Sequence, residues 1–350
     1  MSANTKEKQV LKGGNDVDSR KLKILSAIVD EYIVTGEPVG SKAIVKHINA
    51  SSATIRNEMA ELEKQGYLEQ PHTSAGRVPT YKGYRLYVDI LMQTNPLSEE
   101  EKTLIDSMFP TEQLTEDVIV ESASNALAQL TKCATVVASE TPRFSVISKV
   151  EVIPTGKRMY VLLLITSSGD IKNKVCRLEF DLTNEQLEFF SNFLHENLEG
   201  VSVDELSDDM LEKLQTALGT YMMTLTPLFA EIYKMSHEMK KKKVSLNGAT
   251  NLLCCSDFDQ NEIIQFINDK AEITRLVDET FSGLRVMFSN EDDSFVINNS
   301  SFISSQYRRK GKPAGTLGLI GPMRLDYAKF IPYLEYFTNK ITDLLDEDDD

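Results

Sequence analysis

The chain changes period at Gly66, and that change limits what residues 38–80 can form. Before it, Ile55, Met59 and Leu62 fall at i, i+4 and i+7. That spacing puts one apolar stripe on a helix running from Ser52 to about Gln65. Asn49-Ala50-Ser51 is a polar turn, Ser51 and Ser52 are candidate cap hydroxyls, and Gly66 is a natural C-terminal stop. After it, Tyr67–Gln70 and Arg77–Thr80 read as extended, joined by the turn-rich run Pro71-His72-Thr73-Ser74-Ala75-Gly76. Upstream, Leu22, Leu25, Ile28 and Tyr32 repeat at helical spacing up to Thr35-Gly36, and Ser41 can cap a short second helix, Lys42 to Ile48. Three helices with a tight turn before the third, followed by a β-ribbon, form the winged helix-turn-helix pattern.

The outer face of the third helix is small and sparsely charged. Ser52, Ala53, Arg56, Asn57 and Ala60 lie off the apolar stripe. Arg and Asn carry the forks that match guanine and adenine edges in a major groove, so Arg56 and Asn57 are expected to make base-edge or adjacent phosphate contacts. Ser52 and Thr54 are expected to touch the DNA backbone near the helix N-terminus, where the dipole and free N–H groups favour phosphate. Lys42 and Lys46 would position the duplex. His72, Thr73, Ser74 and Arg77 would sit at or near the wing tip, in reach of phosphates or a minor groove.

A net charge of −15 over 350 residues argues at first against nucleic acid. Its distribution removes the objection. Residues 1–90 hold 13 Lys/Arg against 11 Asp/Glu, a balance of +2, and the other 260 hold 25 against 42, a balance of −17. Acidity therefore belongs to the rest of the chain, where it limits non-specific phosphate binding.

Other classes find little support. The longest strongly apolar run, Tyr160–Ile165, is far too short to span a membrane, and the polar N-terminus has no secretory h-region. Cys133, Cys176, Cys254 and Cys255 show no paired spacing, which fits reduced thiols in a cytoplasmic protein and no metal site. There are four histidines, and no H-E-x-x-H, G-x-S-x-G or Walker loop. Gly315, Gly318 and Gly321 are wrongly spaced for a dinucleotide fingerprint and read as turn and packing residues. No catalytic site and no cofactor are expected.

Beyond a linking helix from Tyr81 to Met92, the pattern runs helix (99–130), strands (134–139, 145–154, 157–166, 172–180), helices (184–243 and 260–279), strands (284–288, 295–297, 301–309, 315–320) and a final helix (327–345). That order predicts an α+β domain carrying a mostly helical insertion. The expected divisions are a disordered 1–17, a winged helix at 18–95, one domain split between 96–183 and 251–345, a helical insert at 184–250, and an acidic tail at 346–350. In the insert, Met222, Met223, Met235 and Met239 are candidates for adaptable contacts, with core packing the commoner role of any one of them. Lys240–Lys243 reads as a solvated helix end.

Several long motifs resemble one family. Tyr32-Ile33-Val34-Thr35-Gly36-Glu37-Pro38-Val39-Gly40-Ser41-Lys42, Ser51–Met59, Glu69–Thr80, Gly83–Asp89 and, near the C-terminus, Gly315–Tyr327 resemble the heat-inducible transcription repressor HrcA. One stretch, Phe288–Asp293, departs from the family's usual glycine and Glu-Asn pair. The resemblance implies a winged helix, a GAF-like α/β domain and an inserted dimerisation domain. It further implies a homodimeric negative regulator of chaperone operons that binds the inverted-repeat CIRCE operator and is kept active by the chaperonin GroEL. A winged-helix regulator that senses a small molecule through its GAF-like domain, with strand Tyr160–Ile165 lining a pocket, is the second reading.

Overall fold

Helix α1 (Ser19–Thr35) turns Ile24, Leu25, Ile28 and Val29 inward, all fully buried. It ends at Gly36, whose φ of +68° lets its N–H reach back to the Tyr32 carbonyl at 2.8 Å. The computed structural model describes residues 19–72, 75–111, 115–139, 145–167, 169–218, 225–239, 243–278, 283–289, 291 and 297–347. The expected disordered segment 1–17 and the wing residues Thr73 and Ser74 lie outside them.

Residues 41–50 do not form the expected second α-helix. They run as successive turns, with His47 N–H bonded to the Ile44 carbonyl at 3.0 Å and Ile48 N–H to that of Val45 at 3.4 Å. The segment is short and rich in β-branched residues, too little to meet the cost of helix nucleation. It holds its place by burying Ile44 and Ile48. Helix α2 (Ser52–Lys64) follows, burying Ile55, Met59 and Leu62 as their spacing requires. Strands β1 (Leu68–Glu69) and β2 (Val78–Pro79) pair antiparallel, Leu68 opposite Pro79, and a bridge from Val39 to Arg77 extends the ribbon. Helix α3 (Tyr81–Leu86) is capped by Thr80 and continues as a π-helical stretch, Tyr87–Leu91.

Two glycines permit this compactness. A Cβ on Gly76 would lie 2.5 Å from the Val39 backbone, and one on Gly83 would lie 2.3 Å from the Tyr67 carbonyl oxygen. Only glycine allows the wing base and α3 to approach so closely.

The remaining elements are α4 (Glu99–Asp106), α5 (Glu116–Thr131), β3 (Ala134–Ser139), β4 (Ile147–Gly156), β5 (Met159–Thr166), β6 (Ile171–Arg177), α6 (Asn184–Leu198), α7 (Asp208–Leu218), α8 (Thr226–Met239), β7 (Lys243–Asn247), α9 (Ala249–Leu253), α10 (Gln260–Asn268), α11 (Lys270–Asp278), β8 (Leu284–Phe288), β9 (Ser300–Arg309), β10 (Lys312–Pro322) and α12 (Tyr327–Glu347). The expected helices 99–130 and 260–279 are each broken in two. In the second, Asp269 caps α11 by accepting from the N–H groups of Ala271 and Glu272. Ile297 lies in a bend rather than a strand, and Lys243, expected at a helix end, opens β7. The expected acidic tail begins as helix: Asp346 and Glu347 close α12, and Asp346 accepts from the Lys310 N–H at 2.6 Å.

The elements divide into two compact units. One takes in the chain through Val137, then 245–311 and everything from Thr316; the other holds Ala138–Val244 and 312–315. In the first unit the winged helix adjoins a five-stranded sheet of order β7-β3-β10-β9-β8, with α12 packed on β9 and α5. Gly318 and Gly321 lie within β10, where a Cβ on Gly318 would strike the Phe302 ring at 2.2 Å; they are packing residues of a strand, not of a turn.

The second unit has its own antiparallel sheet, β4-β5-β6. Strand order along the chain places these strands with the split domain and 184–250 in a helical insert; in the structure the strands share one compact unit and one core with α6, α7 and α8. Tyr160, Leu162 and Leu164 face that unit's core beside Phe190, Leu194 and Ile232. Alternate side chains of the run Tyr160–Ile165 are therefore core of this second unit. Met235 and Met239 are core residues here; Met222 and Met223 lie outside the described residues. Among the described residues no helix is long and apolar enough to cross a membrane.

Candidate nucleic-acid interface

Helix α2 starts with a well-formed cap. Ser51 Oγ accepts from the Thr54 N–H at 3.1 Å and lies 2.9 Å from Thr54 Oγ1. Ser52 Oγ shares a hydrogen bond with Ser41 Oγ at 2.8 Å, tying α2 to the turn segment before it. Both hydroxyls expected on the DNA backbone, those of Ser52 and Thr54, are thus engaged inside the protein. Their first duty is to fix how α2 leaves the turn, which orients everything further along the helix.

Arg56 and Asn57 come next and are exposed, as are Lys42 and Lys46 on the preceding segment and His72 at the edge of the wing loop. Among the described residues no ion pair engages Arg56, Lys42 or Lys46. The fold therefore keeps the amide of Asn57 and the cation of Arg56 exposed off the buried stripe of α2, and two further exposed cations on the segment that leads into it.

Arg77 behaves differently from its expected role. Its Nε donates to Glu63 Oε2 at 2.9 Å, and Nη2 lies 2.9 Å from the same oxygen. Its backbone exchanges two 2.9 Å hydrogen bonds with Val39. The side chain is only 17% exposed. Arg77 thus sits at the root of the wing, joined to the far end of α2, and its guanidinium is not offered at the tip.

The inner side of α2 holds a charged cluster that periodicity alone did not reveal. Glu58 occupies a position on the apolar stripe, three residues after Ile55, and is 9% exposed. Arg20 Nη2 donates to its Oε1 at 2.6 Å, and Lys21 Nζ lies 3.9 Å from Oε2. Lys21 also reaches Glu61 at 2.5 Å and holds that carboxyl below the usual range. An acid on an apolar stripe, facing a basic pair at the start of α1, was the available signal; the pairing itself spans 38 residues. Nearby, the Tyr87 hydroxyl donates to Asp30 at 2.6 Å, and burial followed by this bond raises its pKa.

Behind α3, Arg85 grips the body of the unit. Its Nε donates to Glu291 Oε1 at 2.9 Å, Nη2 pairs with Glu291 Oε2, and Nη2 donates to the Val286 carbonyl at 2.8 Å. The hydrogen bond to Glu291 raises the guanidinium pKa further. Tyr84 packs between Phe288 and Tyr327, each ring centroid 6.2 Å away. Below Gly36, Arg324 pairs with Asp257 at 2.8 Å.

A turn-led helix with an exposed Arg and Asn, flanked by a pinned β-wing and two exposed lysines, defines a winged-helix DNA-binding transcription regulator. The model for the winged helix-turn-helix DNA-binding domain of the transcription repressor HrcA matches residues 17–92, and that for the HrcA protein C-terminal domain matches 117–331. The chain is 36% identical over 342 residues to the heat-inducible transcription repressor HrcA of Clostridium acetobutylicum, covering 95% of this chain and 98% of that one. It is 34% identical over 334 residues to the protein of the same name from Acetivibrio thermocellus, covering 93% and 95%. A crystal structure of a hypothetical protein at 2.2 Å resolution is similar in fold, with a TM-score of 0.58 at 24% identity, covering 95% of this chain and 99% of that one. The chain belongs to the HrcA family of heat-inducible transcription repressors.

Proposed function

We propose that this chain represses chaperone operons by binding a CIRCE-type inverted-repeat operator as a homodimer, with its activity tuned by the chaperonin GroEL. The carrying observation is the outer face of α2, where Arg56 and Asn57 stand exposed, with Lys42 and Lys46 also exposed on the segment before it. In this reading α2 enters the major groove, Arg56 and Asn57 read base edges, and the two lysines neutralise phosphates. Ser52 and Thr54 act mainly by aiming the helix. His72, Thr73 and Ser74 extend the wing toward the flanking backbone, while Arg77 supports it from behind.

An inverted repeat calls for a two-fold reader, with half-site centres about 34–36 Å apart or a multiple of that. Support for self-association comes from the second unit. Ile153, Val161, Leu163, Ile165, Ile171 and Val175 share the outer face of its sheet, with Ile171 59% and Val175 55% exposed. The same face carries Lys149, Glu151 and Asn173, so it presents an apolar patch with a polar side, a surface that favours burial against another. The GroEL part of the proposal rests on the family resemblance alone: unfolded protein that occupies the chaperonin would leave less of it to maintain the repressor.

Gel-shift competition between an intact operator and a half-site, at two salt concentrations and with or without GroEL, tests the whole reading. Tight, salt-dependent binding to the intact repeat, enhanced by GroEL, is the expected result. Equal affinity for the half-site overturns the dimeric reader, and indifference to GroEL overturns the chaperonin link.

A further inference from the structure

We propose that Arg85 is a positioning residue. Its contact with Glu291 fixes the orientation of the winged helix on its own sheet domain, and thereby the half-site spacing the repressor accepts. This rests on the symmetric-operator reading above and adds to it a residue that need not touch DNA.

Two kinds of contact join α3 to the body. Tyr84 supplies apolar area against Phe288 and Tyr327, but its buried hydroxyl has no hydrogen-bond partner among the described residues. Stacked and tilted rings hold two surfaces together and resist sliding weakly, because no directional bond is lost when they shift. Arg85 supplies the directional part. Its planar fork meets both oxygens of Glu291, its Nη2 also donates to the Val286 carbonyl, and its guanidinium carbon stands 4.8 Å from the centre of the Phe288 ring. Three contacts on one rigid plane, to partners about two hundred residues away in sequence, fix an angle as well as a distance.

Arg85 follows directly from the wing through Thr80, whose hydroxyl caps α3 and donates to the Gly66 carbonyl at 2.6 Å. Any rotation of α3 on the body is therefore carried to the wing and to the end of α2. One added base pair turns a half-site by about 34–36° and moves it by about 3.4 Å. A head held by the fork resists that displacement; without it the rings, the Asn95 N–H bond to the Ala328 carbonyl and the Arg324 contact under Gly36 remain, and none of them fixes the angle of α3.

The test uses the full-length protein, a half-site duplex, and inverted repeats with the best-bound spacer and with one base pair added or removed. Wild type is expected to lose about tenfold or more in affinity when the spacer changes. Arg85→Ala and the milder Glu291→Gln are expected to keep half-site affinity within about twofold; Arg85→Ala should reduce the spacer penalty to about threefold, and Glu291→Gln, which leaves the Val286 and Phe288 contacts, to about fivefold. Glu291→Gln decides the matter if Arg85→Ala melts early. Variants that discriminate spacers as sharply as wild type overturn the proposal alone. A wild type indifferent to the spacer overturns it together with the symmetric-operator reading.

Discussion

The front and the rear of the winged helix use the same residue types for opposite ends. At the front, Lys42, Lys46 and Arg56 are exposed and bound to no carboxylate among the described residues. At the rear and root, Arg20 and Lys21 hold Glu58, Arg77 holds Glu63, and Arg85 holds Glu291. A count of charges cannot see this division. The balance of +2 in residues 1–90 is small, yet a cation counts toward DNA only if it is not already neutralised, and Glu58, Glu61 and Glu63 neutralise Arg20, Lys21 and Arg77 rather than Arg56, Lys42 or Lys46. What matters to a phosphate is local commitment, not the sum.

The largest expected effect separates two neighbouring residues of α2. Ile55→Ala should cost about 2–5 kcal/mol of stability, because a fully buried side chain leaves a cavity. Urea unfolding measures it, and an unchanged midpoint would mean that the stripe is not core. Arg56→Ala should leave that midpoint alone and cost about 1–3 kcal/mol in operator binding, with relaxed preference at one base pair. If titration against single-base variants of the operator finds specificity intact, Arg56 does not read a base. Lys42→Ala should weaken every sequence alike and lower the slope of log affinity against log salt by about 0.9. A sequence-selective loss there would move Lys42 from backbone contact to readout.

Arg77 gives the smallest and sharpest test. Arg77→Ala should weaken binding through a loosened wing while leaving the salt slope within about 0.3 of wild type, since no phosphate contact is lost. Exchanging the pair as Glu63→Arg with Arg77→Glu should restore part of the affinity. A slope reduced by a full unit, with no rescue, would put Arg77 on the front side and erase the division drawn here.

Much of this was legible in the sequence because it is local. The stripe Ile55, Met59 and Leu62, the stop at Gly66, the paired extended segments around Pro71–Gly76, and the long final helix all follow from short-range period and turn chemistry. The missed features depend on partners distant in sequence. Alternation marks 147–156, 159–166 and 171–177 as strands but is silent on which sheet they join, and their pairing into a sheet of their own depends on contacts between strands. Arg77 looked like a wing-tip cation because Glu63 lies 14 residues earlier, across a reversal of the chain. The helix expected at Lys42–Ile48 fails for a local reason: the run is short and carries the β-branched Ile44, Val45 and Ile48, and Ile44 and Ile48 reach the core without it.

Gly83 makes the head a lever with no play at its fulcrum. With only 2.3 Å between the place a methyl group would take and the Tyr67 oxygen, α3 and the ribbon's first strand bear directly on each other. A tilt imposed on α3 from the body is handed to the loop at 70–77 without slack to absorb it. Wedging that joint by even one carbon should swing the far end of the arm more than it moves the pivot.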